Sequence, residues 1–188
     1  EIQYYNTKIP FSFVDYYGGG THNRDNRSID GLFTVNANAK LNFGMYGNWV
    51  KAYGPYVSLS TKYRNAGFFS SYQGGKFEYM AALSFNGFES YESGGFTDDK
   101  YIVDPKNTGN MDPVNIPVFT DNNAWNKVHN WNSYLNLKKH FGVERDIEVA
   151  KDSFKTEFIP VTSIFYTFKS EADWRRYYER GLDADIDS

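Results

Sequence analysis

The chain has 188 residues, a formal net charge of −3 and no cysteine, which excludes disulfides, thiolate metal sites and cysteine nucleophiles and leaves no basic footprint for nucleic acid. Aromatics make up 19%, with 16 Phe, 16 Tyr and 4 Trp, yet mean hydropathy is −0.63 and no apolar run approaches the ~20 residues of a spanning helix. Those facts fit a membrane barrel with aromatic girdles or an aromatic, carbohydrate-binding β-sandwich.

Ile9 to Tyr16 is the first strand candidate, with Pro10 near its start where Pro is tolerated. Tyr16 and Tyr17 stand before Gly18-Gly19-Gly20, and a polar loop runs to Ser28. Tyrosines at a strand end suit an interfacial girdle or a Tyr-rich turn. Ile29 to Ala39 then alternates Ile29, Phe33, Val35 and Ala37 with Asp30, Thr34, Asn36 and Asn38. After a tight turn at 38–40, Leu41 to Ala52 sets Leu41, Phe43, Met45 and Trp49 against Asn42, Tyr46 and Asn48. Tyr53-Gly54-Pro55-Tyr56 is a turn signal opening a second longer loop. Arg64 to Tyr72 descends, Gln73-Gly74-Gly75 turns, and Lys76 to Tyr91 ascends. That last strand alternates Phe77, Tyr79, Ala81, Leu83 and Phe85 with Glu78, Met80, Ala82, Ser84 and Asn86.

Period-two alternation marks strands with one apolar and one polar face. By itself it fits a soluble sheet solvated on one side or a barrel with lipid outside and water inside. The loops separate the two. They run long (17–28), short (38–40), long (53–63), short (73–75), the sorting that outer-membrane barrels show.

The segment YYNTKIPFSFVDYYGGGTHNRDNRSIDGLFTVNANAKLNFGMYGNWVKAYG resembles the opening strands of the putative porins of Bacteroidetes. The shared features are an N-T-x-x-P-F start, a charged Gly-rich loop and a strand-turn-strand pattern xNxxLNFG. ESYESGGFTDD is similar to that family's acidic lead-in to a long outer loop, and FIPVTSIFYTFKSEADWRRYYE to a later strand with its aromatic-basic loop. The resemblance covers essentially the whole chain and implies an outer-membrane β-barrel. Members of the family are much longer than this chain, and most lack an assigned substrate.

Beyond the fifth strand, 94–128 reads as a long outer loop with three prolines and the acids Asp98, Asp99, Asp104, Asp112 and Asp121. Their spacing does not match an EF-hand, so they read as solvated charge, and no metal or cofactor is expected. Ile116-Pro117-Val118 is a candidate constriction at a barrel mouth. Asn130 to Lys139 sets Trp131, Leu135 and Leu137 against Asn132, Tyr134, Asn136 and Lys138. Residues 143–157 are charged and read as a longer connection, which breaks the loop pattern. Phe158 to Lys169 is a seventh strand, followed by an aromatic-arginine loop at Trp174 to Arg180.

No catalytic constellation is present. His22, His129 and His140 are isolated, and neither a G-x-S-x-G elbow nor a phosphate loop occurs. Glu89 and Glu92, considered as an acid/base pair across a sugar, read as solvated charge. The chain is not expected to be an enzyme.

The sequence thus specifies an all-β fold, an antiparallel meander of about seven strands. Residues 1–188 are read as part of one larger transmembrane barrel in the bacterial outer membrane, since an odd, open set of strands leaves edges unpaired in hydrocarbon. Asn36, Asn38, Asn42, Tyr46, Asn48, Glu78, Ser84, Asn86, Asn132 and Asn136 are the expected lumen-facing residues. Phe33, Val35, Leu41, Phe43, Met45, Phe77, Leu83, Phe85, Leu135 and Leu137 are the expected lipid-facing ones. The expected function is a channel for passive diffusion of small solutes, in contact with outer-membrane lipid. The alternatives are a barrel whose loops bind another outer-membrane or assembly protein or a glycan, and the soluble sandwich.

Overall fold

The computed structural model describes residues 5, 7, 9–20, 25–56, 58–104, 112–119, 124–150 and 153–179. Seven strands form one antiparallel sheet in the order of the chain. They are β1 (Phe11–Gly19), β2 (Asn26–Asn38), β3 (Leu41–Tyr53), β4 (Ser60–Gln73), β5 (Phe77–Glu92), β6 (Ala124–Ala150) and β7 (Ser153–Glu179). The only helices among the described residues are the short turns α1 (Lys100–Val103) and a 3-10 turn at Pro113–Asn115. Among the described residues there is no second sheet to form a sandwich. Nor is the sheet closed among them, for there β1 pairs only with β2 and β7 only with β6.

The turns fix the register. At 39–40 the Asn38 side-chain oxygen accepts from the backbone N–H of Lys40 and of Leu41, at 2.9 and 3.0 Å, a local bond that Asn offers in place of the ladder. At the next tight turn the N–H of Gly74 donates to the carbonyl of Phe77. A Cβ on Gly74 would lie 2.6 Å from the Tyr72 ring and 2.8 Å from that carbonyl, so glycine is required there.

Two expected boundaries move. The strand β6 begins at Ala124, inside the expected 94–128 loop. Residues 143–157 are not a connection: the ladder of β6 and β7 continues from Val143↔Ile159 to Ala150↔Ser153. The physical reason is an alternation that the charges obscure, with Val143, Ile147 and Val149 between Glu144, Asp146 and Glu148. A register shift between Phe141 and Gly142 precedes it. Gly142 lies opposite Pro160, which has no N–H to give the ladder, and a Cβ at Gly142 would overlap the Ile159 carbonyl. As β5 pairs no further than Phe77↔Lys139, this hairpin projects beyond the tight-turn edge of the sheet. Likewise Trp174 to Glu179 belong to β7 rather than to a loop.

Candidate functional site: the polar face of the sheet

Directly opposed residues share a face, so the register sorts every side chain. One row crosses all seven strands: Asp15, Asp30, Asn48, Asn65, Asn86, Asn130, Asp173. Two runs of these side chains are hydrogen-bonded. The Asn65 amide donates to the Asn86 carbonyl oxygen, Asn86 donates to Asn130 at 2.8 Å, and Asn130 donates to Asp173 and, at 3.2 Å, to Glu171. At the other end the Asn48 amide donates to Asp30. The result is a belt of amides running out to carboxylates on both flanks. A groove of about 590 Å³ lies over it, walled by Tyr46, Tyr63, Asn65, Asn86, Asn132 and Lys169.

Of the expected lumen set, Asn36, Asn42, Tyr46, Asn48, Glu78, Ser84, Asn86, Asn132 and Asn136 all lie on this face. Asn38 instead spends its side chain on the turn. Glu78 is not a lone charge, since Lys138 approaches it at 3.6 Å and His140 at 3.2 Å. Asp15, Asn65, Asn130, Lys169 and Asp173 were missed, although parity with Asn48 and Asn86 along the pairing register points to them. Glu89 and Glu92, an odd and an even position of β5, project to opposite faces and cannot act as a pair. In the long loop, Asp98 is held by Lys100, whose backbone N–H and ammonium both donate to it at 2.9 and 2.8 Å. The side-chain bond first, then the backbone bond, lowers that carboxyl below its ordinary pKa.

Nearer the tight turns, Tyr5 and Thr7, which precede β1, meet the polar face. Tyr5 packs its ring on Phe69, centroids 5.6 Å apart, and the Thr7 N–H donates to Asn36 at 3.3 Å. Beside them a polar cluster is buried: Thr34, Asn42 and Ser71 are only 0, 4 and 6% exposed. The Asn42 amide donates to Thr34 and Asn36 there.

A family model described as "Putative porin" matches residues 1–187. The chain belongs to this putative porin family. Membership places it among porin-type channel proteins of the outer membrane. Comparison with curated proteins and with solved structures gave no match.

The other face of this porin is apolar and open. It carries all of Phe33, Val35, Leu41, Phe43, Met45, Phe77, Leu83, Phe85, Leu135 and Leu137. Met45, Phe68 and Leu83 are 49, 55 and 43% exposed. Exposure is therefore unlike that of a water-soluble protein: the Phe, Met and Leu rows stand open, while Thr34, Asn42 and Ser71 are buried beside Phe69 and Ala82. The apolar rows end at the Tyr-bearing row Leu41–Tyr72–Tyr79–Leu137–Tyr166 on the tight-turn side and at the mixed row Ile29–Trp49–Arg64–Gly87–His129–Trp174, with its two Trp, on the loop side. From Leu41 to Trp49 the strand rises roughly 27 Å at 3.4 Å per residue, close to the ~25 Å apolar band of outer-membrane barrels once tilt and the girdle rings are included.

The loop candidate Ile116-Pro117-Val118 pairs back on its own loop. Val118 bridges Phe96, and Phe96 meets the ring of Tyr56 edge-on at 4.9 Å.

Proposed function

We propose that the chain is a section of the wall of an outer-membrane channel through which small, neutral or weakly charged solutes diffuse passively. On this reading the amide belt lines the bore, and the exposed Phe, Met and Leu rows face lipid. The broad exposed apolar face, set against a polar face with a buried Thr34–Asn42–Ser71 cluster, is the observation that carries it. A contiguous apolar face of this size is a liability in water and a requirement in hydrocarbon, while a polar interior is what such barrels contain. The free edges of β1 and β7 fit the same reading: unpaired backbone groups cost several kcal/mol each in lipid, so further strands must continue the wall. Nucleic acid has no place in it.

Amides and hydroxyls select weakly among solutes, unlike rings of like charge. The test is planar-bilayer recording of the folded, full-length protein. Discrete, water-filled conductance steps are expected, and their absence defeats the channel reading. The segment holding Tyr5 against Phe69 favours a second reading, a narrowed or stopped bore. Phe69→Ala, which removes that seat, should raise unit conductance if the segment obstructs the path and leave it unchanged otherwise.

A further inference from the structure

One row on the outward face is neither apolar nor neutral. Between the Trp49–Trp174 row and the row Tyr53–Ser60–Tyr91–Trp125–Tyr178, Arg27, Lys51, Lys62, Glu89, Lys127 and Arg176 lie directly opposite one another across β2 to β7. Five cations meet one carboxylate in the row. Glu89 serves two of them, Lys127 at 3.3 Å and Lys62 at 3.7 Å, and Asp25 serves Arg27 at 2.9 Å. Lys51 still faces Lys62, and Lys127 faces Arg176. Like charges directly opposed across a ladder destabilise it, so the row as folded is short of anions.

The ammonium groups are also held in place. Lys51, Lys62 and Lys127 sit over the rings of Tyr53, Tyr91 and Trp125 at 4.7, 5.2 and 4.5 Å, a contact that orients a cation without neutralising it. A groove of about 380 Å³ opens among Asp25, Arg27, Trp49, Lys51 and Tyr53. Lower on the same face, Ser70, Ala81 and Ser133 leave a second groove of about 580 Å³ between Phe43, Phe68 and Phe168.

We propose that this row binds the phosphates of the phosphorylated glycolipid (lipid A) of the outer leaflet, with acyl chains lying on the apolar rows below. The inference rests on the membrane reading above, which puts the long-loop end outside. It follows from position and charge together. Flanked by ring-bearing rows on both sides, the cluster sits at the depth of the membrane interface, and a basic cluster at that depth attracts anionic lipid heads, with Arg suited to bidentate phosphate contact.

The test uses the folded, full-length protein in lipid nanodiscs, titrated with bisphosphorylated lipid A and with its enzymatically dephosphorylated form, and read by native mass spectrometry. Retention of the bisphosphorylated form should be at least tenfold higher. Lys51→Gln/Lys62→Gln/Lys127→Gln should abolish that preference, and Lys138→Gln/Lys169→Gln, on the polar face, should keep it. Should the triple variant not fold, the wild-type preference must still fall steeply with salt. Equal retention of the two lipids, a preference that survives the triple change or salt, or displacement by equimolar phosphatidylglycerol overturns the proposal. Failure to enter the nanodisc at all would instead overturn the membrane reading.

Discussion

The side chain of Tyr46 lies over its cross-strand neighbour Gly67, where a Cβ would come within 2.6 Å of the Tyr46 ring atom Cε1. The opposite exchange occurs two residues away on the same face: Phe69 covers Gly44, where a Cβ would overlap the Phe69 ring. An aromatic ring over a cross-strand glycine closes the gap the glycine leaves and pins the β3–β4 register. Gly67→Ala should therefore cost about 1–3 kcal/mol by overpacking. Gly75→Ala, with open space around it, should cost far less, and Tyr46→Ser should relieve part of the Gly67→Ala penalty. Urea unfolding of the lipid-folded protein checks all three.

The row Met45–Phe68–Leu83 stands midway between the two girdles. Leu83→Arg should then cost roughly 2–4 kcal/mol, the range for a cation at the midplane of a barrel's lipid face, while Ser84→Arg on the polar face should cost clearly less. Equal losses in the same unfolding assay would show the faces to be wrongly assigned.

Labels report the same assignment without a charge. Fluorophores at Phe43, Leu83 and Phe85 should be quenched by lipid-borne quenchers, and those at Ser84, Asn86 and Asn132 by aqueous iodide. Asn42 is a poor site for a label because it is buried. Aqueous quenching of both sets would remove the bilayer from the account.

Ion preference should follow the carboxylates at the belt's edge. Asp30→Asn should lower a mild cation preference with little change in unit conductance, since volume is kept and only charge is lost. Because Lys138 lies beside Glu78, Glu78→Gln should leave an unopposed ammonium and move selectivity toward anions. Reversal potentials across a KCl gradient measure both.

The Asp98 carboxyl titrates below the ordinary aspartate value near 3.9, mainly because Lys100 donates to its charged form. A depressed folded value means that the contact contributes fully above that ordinary value and is lost as pH falls through the lowered one. In Lys100→Gln the midpoint seen by carboxyl carbon NMR should rise, though not fully, because the backbone N–H at residue 100 still donates. An unchanged midpoint would remove the ammonium as the cause.

What the amino-acid sequence determined by itself is the pair of faces. Side chains alternate with a period of two whatever the strand's neighbour is, so Phe33, Phe43 and Leu83 are separated from Thr34, Asn42 and Ser84 by local geometry alone. The tight turns are equally local, as the Asn38 cap shows. What faces what across the sheet was decided only by the tertiary pairing. A slip of one residue would reverse the faces of a strand, and a slip of two would keep the faces while dissolving the Asn65–Asn86–Asn130–Asp173 belt. The pairing of Glu78 with Lys138, the sharing of Glu89 between Lys62 and Lys127, and the seat of Tyr5 on Phe69 join residues far apart in the chain. No periodicity within a single strand encodes them, because their distances are set by the accumulated register of several turns and by where Tyr5 comes to rest.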